Sequence, residues 1–453
     1  MADEQRYERK SRQLRVLSQA LDSGRLAPVK RMLDTLTPGE IARVLESLPQ
    51  DKRRVVWGIV DPEDDGEVLV HVAEEVRDGL LADMDREELI AAVNSLEVDD
   101  IADLVDDLPG QLQDELLRGM DRQDRERLEQ VLSYDEDTAG RLMNTDVVTV
   151  RADVSVDVVL RYLRMRGELP EHTDHLFVLN RNGRYIGRVA LTRLLTSDPE
   201  RDIAEIIDDS LPAIRATATR NEVAEEFENH RYVSAPVVDA DNVLVGRITV
   251  DDVIDVVREQ AEHDMMSMAG LTEEEDMFAP VIGASRRRAV WLGINLLTAF
   301  LASYVIGQFE ATLEQVVALA VLMPVVASMG GIAGTQTLTL IVRGLALGQV
   351  SWNNARDLLK RELSIGGLNG LLWALVVAAV AWAWFGDWQL ALVIGAAIVI
   401  NLVAAALSGV MIPLLLKRFA IDPALAGGVV LTTVTDVVGF LAFLGLGTLV
   451  LLG

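Results

Sequence analysis

The spacing of apolar positions divides the chain near residue 288. Upstream, apolar residues recur every three to four positions in "PGEIARVLESLP" (38–49), "REELIAAVNSLEVDDIADLVDDLP" (86–109) and "QLQDELLRGM" (111–120). That is the period of a helix with one buried face. The repeated unit, acidic then apolar then LxxLP, predicts stacked short helical hairpins, and hence an all-α superhelical domain over residues 1–138. Downstream, polar positions thin out into runs long enough to cross a bilayer, which takes about 20 helical residues. They predict an all-α transmembrane domain over 286–453 with five spans, at 289–309, 316–345, 363–385, 389–416 and 424–451.

Between these regions a strand–turn–strand–helix pattern occurs twice. "HLFVLNRNGRYIGRVALTRLL" (175–195) aligns without a gap with "SAPVVDADNVLVGRITVDDVI" (234–254) at an offset of 59, placing Gly187 on Gly246 and Arg188 on Arg247. A helical stretch precedes each copy, "SVDVVLRYLRM" and "NEVAEEFENH". The whole is an α/β module that resembles a tandem pair of CBS domains, taken as 139–203 and 204–263. In the second copy, Gly246, Thr249 and Asp251 match the pattern by which many CBS domains hold a nucleotide's ribose and phosphate. The first copy has Ala190 and Thr192 in place of Thr249 and Asp251, so one site is complete and ATP is its candidate ligand. Residues 264–285, rich in methionine, are expected to form a connecting helix against the inner face of the membrane domain.

Two places in the apolar half depart from its pattern. The second span contains "PVVASMGGIAGTQ" (324–336), with Pro324, Gly330, Gly331 and Gly334. Irregular backbone at membrane depth survives only where protein buries it or it lines a wet cavity. The stretch is therefore expected to break the helix and line a pore; close helix packing through small residues is the alternative. The last span places Asp436 among Thr432, Thr433 and Thr435. An intramembrane carboxylate is costly and marks a functional site. Glu314, Glu362, Asp387 and Asp422 fall nearer the span ends, and no base lies mid-span to pair with Asp436, so a cation is its simplest partner.

Charge adds orientation and exclusions. Of 42 Lys+Arg and 70 Asp+Glu, residues 286–453 hold 9 and 7; that leaves 33 and 63 upstream, a formal charge of −30 against +2. Such acidity argues against a nucleic-acid partner. Arg286–Arg288, the group Arg343, Arg356, Lys360 and Arg361, and the pair Lys417 and Arg418 all fall on one side of the five spans. By the positive-inside rule the N-terminus is cytoplasmic and the C-terminus extracytoplasmic, in the cell (inner) membrane. The charged start, MADEQRYERKSRQ, lacks the apolar core of a signal peptide. There is no cysteine, and none of the five histidines (His71, His172, His175, His230, His263) lies in a span. Thiolate and intramembrane histidine metal sites are thus excluded, and hard oxygen donors remain. Asp99 and Asp103, four apart on one helix face, repel unless a cation sits between them.

In order and content these parts resemble the MgtE family of magnesium transporters and channels. "YDEDTAGRLM" (134–143) looks like the family's junction before the first CBS unit, and "IDPALAGGVVLTTVTD" like its last span. The resemblance implies a homodimer whose axial pore is formed by spans two and five, and no enzymatic activity. It implies Asp436 as pore carboxylate, with Gly330, Gly331, Gly334, Thr432 and Thr433 lining the path. Regulatory Mg²⁺ would be held by Asp99, Asp103, Asp252, Asp255, Asp264 and Asp422, closing the pore as cytosolic Mg²⁺ rises. Ile332 and Val429 stand where the family often has Asn and Pro, and Gln260 and His263 where it is commonly acidic. Co²⁺ or a broader range of divalent cations is the alternative cargo. An anion conductor would want a central base, a membrane metalloprotease an HExxH motif, and a passive anchor no intramembrane acid.

Overall fold

The computed structural model describes residues 17, 19–93, 96–106, 108, 110–271 and 276–452. The charged start at 1–13 lies outside the described residues, as do 272–275 of the connecting segment. The chain forms two compact units: 1–261 with 274–279, and 262–273 with 280–453.

The first unit opens with short helices: α1 Leu26–Leu33, α2 Pro38–Glu46, α3 Gln50–Trp57, α4 Asp65–His71, α5 Glu74–Leu81, α6 Arg86–Val93, α7 Val98–Asp106, α8 Gly110–Gly119 and α9 Arg122–Leu132. Local chemistry sets where they start. Pro38 occupies the first turn of α2, where its missing N–H costs nothing, and Thr37 N–H donates to Glu40 Oε2 at 3.2 Å. Asp121 caps α9, its Oδ1 accepting from the amides of Gln123 and Asp124. Each helix is too short to be stable alone, so the buried stripe holds it: Ile41, Leu45, Val56, Leu69, Leu80, Leu104 and Leu128 are almost wholly inaccessible.

The repeat at offset 59 is a structural repeat. Strands β1 (Thr149–Arg151), β2 (His175–Leu179) and β3 (Tyr185–Ala190) form one three-stranded sheet; β4 (Ile214–Arg215), β5 (Ser234–Val238) and β6 (Leu244–Thr249) form the other. In each, the first pairing is parallel and the second antiparallel. Val178 faces Gly187 and Val237 faces Gly246, and the register shifts directly afterwards in both. Helices α10 (Val156–Arg166), α11 (Leu191–Thr196), α12 (Arg220–His230) and α13 (Val250–Ser267) complete the pair. The two halves are packed differently. The first has its own core around Val156, Leu176, Val189 and Ile203. The second shares one continuous core with the helical domain, through Ala139, Met143, Val223, Phe227, Ile248 and Val253.

Among the described residues of the second unit, five helices are long and apolar enough to cross a membrane: span one Val281–Gly307, two Val317–Ala346, three Ala355–Phe385, four Trp388–Arg418 and five Pro423–Leu451. A short helix, Glu310–Gln315, joins the first two. Span four is central and packs against spans two, three and five; span one packs on span five. Gly386, at φ +71°, ends span three, and the Asp387 carboxylate at once caps span four through the amides of Gln389 and Leu390.

One expectation fails here. Span two is not broken: it runs as one helix through Pro324 and all three glycines. Proline removes a single helical hydrogen bond, and neighbouring helices hold the rest. Among the described residues of 264–285, no helix separate from α13 and span one is present. Asp264 lies in the last turns of α13, which ends at Ser267, and a turn with Gly270 at φ +71° follows.

Candidate functional site

The membrane site follows from helical geometry. On span five, Gly427, Leu431, Thr435 and Gly439 recur every four residues and are buried. Leu431 lies against Gly334, Gly427 against Leu338, and Gly439 against Asn401. Asp436 is one residue beyond Thr435, so it leaves this packed stripe by about 100°. It is partly exposed, on the same stripe as Thr432 and Gly428. The hydroxyls of Thr432 and Thr433 donate back to the carbonyls of Gly428 and Val429.

Span two behaves likewise, and this separates its glycines. A Cβ on Gly330 would lie 2.2 Å from Asn401 Nδ2, and one on Gly334 3.0 Å from Leu431; both glycines are buried by helix packing. For these two the structure favours close approach over pore lining. A Cβ on Gly331 would meet nothing within 4 Å. Gly331, Thr335 and Thr339 form a stripe off the packed face, with Thr335 and Thr339 exposed and Gln336 beside them, also exposed. Spans two and five therefore each present polar atoms away from the helix packing of the chain.

The first unit holds a compact group of acids where the helical domain meets the second CBS repeat. Asp99 is buried; its carboxyl is driven well above the usual carboxylate range, first by burial and next by the charge of Asp252. Asp100 is pushed up to about 8 by burial and then by Asp252, and Asp252 up to about 7, chiefly by burial. Burial also raises Glu97, which accepts a short hydrogen bond from Asn144 Nδ2. Among the described residues, no three such side chains converge as direct ligands of one metal ion. The donor set is all oxygen, which suits an ion that keeps much of its hydration shell.

The other predicted regulatory residues separate. Asp103 is exposed and faces Arg220 at 3.9 Å, whose guanidinium also meets Glu259 at 3.2 Å. Asp255 lies 3.2 Å from Arg258. Asp422 caps span five, accepting from the amides of Ala424 (2.8 Å) and Leu425 (3.1 Å), and His263 Nε2 lies 3.5 Å from its Oδ2. At the nucleotide motif, Thr249 donates its hydroxyl to Asp251 and Asp252, and its amide to Asp252. Gly246 is filled in by Met143 and by the Asn144 carbonyl. Of that motif, only Asp251 is exposed.

Sequence reading missed Glu97, Asp100, Glu362 and Asn401. Glu97 and Asp100 flank Asp99 in "LEVDDIADL", but only the fold brings Asp252 to them. Glu362, eight residues into span three, is buried, and Thr337 of span two donates to it at 3.3 Å.

An acidic helical domain, a paired α/β module and five apolar helices with an intramembrane carboxylate define a multispan membrane protein that moves divalent cations. Family models agree: "Divalent cation transporter" matches residues 323–446, "MgtE intracellular N domain" 36–137, and "CBS domain" 139–200 and 203–259. The magnesium transporter MgtE of Thermus thermophilus is 31% identical over 441 residues, 96% of this chain and 98% of that protein. That of Bacillus subtilis is 28% identical over 428 residues, 94% of this chain and 95% of that protein. Among solved structures, the cytosolic domain of the Mg²⁺ channel MgtE in complex with ATP matches 53% of this chain and 98% of that one, at 30% identity and a TM-score of 0.49. The chain belongs to the MgtE family of magnesium transporters, and is an integral membrane Mg²⁺ transporter.

Proposed function

We propose that the protein carries Mg²⁺ into the cytosol as a homodimer and closes as cytosolic Mg²⁺ rises. The observation that carries the gating is the pressing together of Asp99 and Asp100 of the helical domain with Asp252 of the second CBS repeat. Their carboxyls are all raised, so the compact arrangement is held by protons or by a cation. With little Mg²⁺ the repulsion favours a looser arrangement and an open pore. With more Mg²⁺, hydrated ions bridging these acids draw the helical domain and CBS repeat together. Asp103, Asp255, Asp264 and Asp422 contribute further sites on the same logic, weakened at Asp422 by His263 in place of an acid. The ions act only through their preference for the compact state, so several weak sites act together.

The conducting path runs between the unpacked stripes of spans two and five and their symmetry mates. Two Asp436 carboxylates, the Thr432 and Thr433 hydroxyls, and backbone at Gly331 offer hard oxygen to a largely hydrated ion. The N-terminus is cytoplasmic and the C-terminus extracytoplasmic in the inner membrane, because the basic loops alternate. ATP is a candidate ligand of the CBS pair at Thr249 and Asp251. The deciding experiment is flux in proteoliposomes with Mg²⁺, Co²⁺, Ca²⁺ or K⁺ outside, at stepped internal Mg²⁺, for the wild type and D99N/D100N/D252N. Mg²⁺-selective flux that shuts with internal Mg²⁺ in the wild type only supports the proposal; equal shut-off in the triple variant removes the gating role of these acids.

A further inference from the structure

Span four supplies none of the candidate conducting residues, yet its fourteenth residue, Asn401, is wholly buried. The amide Nδ2 donates to the Val326 carbonyl of span two at 2.9 Å. Two glycines make room for it. A Cβ on Gly330 would lie 2.2 Å from Nδ2, and one on Gly439 2.7 Å from the same atom. Gly330 adjoins Gly331, and Gly439 lies three residues beyond Asp436. One side chain on a third helix is thus keyed into both helices of the proposed path, at the level of their candidate residues.

Packing alone does not account for this choice. Asn401 Oδ1 is buried and finds no hydrogen-bond partner among the described residues. A leucine has the same branched shape and the same number of side-chain heavy atoms, and would leave no unpaired carbonyl, which is costly in an apolar interior. Leucine could not donate to Val326. A single buried asparagine is also a known means of fixing the register of packed helices at the expense of stability. On a helix, one residue of rotation turns a stripe by about 100°, enough to point Gly331 and Thr335 away from the path.

We propose that Asn401 is a positioning residue for conduction: its bond to Val326, between Gly330 and Gly439, fixes the rotation of span two against span five, and so the presentation of Gly331 and Asp436. This rests on the Mg²⁺-conduction reading above. It concerns ion discrimination rather than assembly, and the two are separable.

The test compares wild type, N401L, N401S and D436A in proteoliposomes. It reads reversal potentials with Mg²⁺ against K⁺, the half-saturating Mg²⁺ concentration, and the assembly and thermal midpoint of each variant. N401L is expected still to assemble, with some loss of thermal midpoint from its two larger methyls, while its Mg²⁺-over-K⁺ permeability ratio falls about tenfold, equivalent to ~1.4 kcal/mol of discrimination. N401S keeps a donor and should recover part of that ratio. An assembled N401L with wild-type ratio and half-saturation overturns the proposal. So does loss of assembly in both N401L and N401S, which would make Asn401 a folding residue. Wild-type flux unaffected by D436A would instead overturn the conduction reading itself. An inactive D436A beside an unaltered N401L overturns only the role of Asn401.

Discussion

Arg53 holds the carboxylate of Asp276 with both terminal nitrogens, Nη1 to Oδ2 at 2.8 Å and Nη2 to Oδ1 at 3.0 Å, and both side chains are almost fully buried. Further bonds surround the pair. Arg53 Nε donates to the Leu45 carbonyl, the Asp276 amide donates to Glu75 Oε2, and Asp276 Oδ1 also accepts from the Phe278 amide. Removing one partner leaves a buried charge, so Arg53→Ala or Asp276→Ala should each destabilise the first unit by about 3–5 kcal/mol, read by urea unfolding. The double R53M/D276L should lose far less, and a loss in the double as large as in the singles would contradict this account. Asp276 lies five residues before span one begins, so both single variants should also be cut faster by protease around 276–279.

The raised carboxyls of Asp99, Asp100 and Asp252 set a pH dependence. An unfolded aspartate titrates near 3.8, whereas in the folded chain Asp252 is pushed up to about 7, Asp100 up to about 8, and Asp99 well above the usual carboxylate range. The folded state therefore binds more protons between those limits, and the contribution of these groups to stability is lost as pH rises through about 4 to 8. Without divalent cations the thermal midpoint should fall from pH 6 to pH 8, and D99N/D100N/D252N should flatten the curve. On the proposed gating, Mg²⁺ and protons would compete for the same oxygens, so added Mg²⁺ should raise the midpoint more at pH 8 than at pH 6. Calorimetry at both values checks this.

Asp436→Ala should lower Mg²⁺ uptake by about tenfold or more while the assembled protein keeps its size on a column, a loss of at least ~1.4 kcal/mol of ion stabilisation in the path. Uptake at the wild-type rate would mean that the carboxylate only hydrogen-bonds within the protein.

Neighbouring glycines of span two should respond oppositely to enlargement. Gly331→Leu enters open space, and is expected to leave assembly intact while blocking flux. Gly330→Ala meets the Asn401 amide and is expected to lower the thermal midpoint first; N401A in the same chain should restore it. Normal flux through assembled G331L would move the path elsewhere.

Much of this was legible in the sequence because it is written in periods. Helical spacing, the repeat at offset 59 and the runs after residue 288 each fix an element by local chemistry. Glycine was harder to read. "SMGGIAG" looks like a broken helix from its composition, but Gly330 and Gly334 are small because Asn401 and Leu431 stand opposite them, and those partners lie far along the chain on other spans. The acids show the same limit. The i,i+4 relation paired Asp99 with Asp103, whereas the fold turns Asp103 to Arg220 and surrounds Asp99 with Glu97, Asp100 and Asp252. Glu362 stands near a span end, as expected, yet it is buried against Thr337, because span three packs that turn inward.

The five apolar helices have 27 to 31 residues. At 1.5 Å per residue they measure about 40–47 Å, against about 30 Å of hydrocarbon. Roughly 10–17 Å of each must therefore tilt or stand clear of the acyl chains. Arg286–Arg288, Lys360 and Arg361 lie within the first eight residues of spans one and three, and Lys417 and Arg418 in the last turn of span four. By length, these basic ends are expected to reach the headgroup region, where anionic lipids would attract them and a thicker bilayer would immerse them. Bilayer thickness is therefore expected to bear on flux through hydrophobic mismatch, without touching any residue proposed to meet the ion.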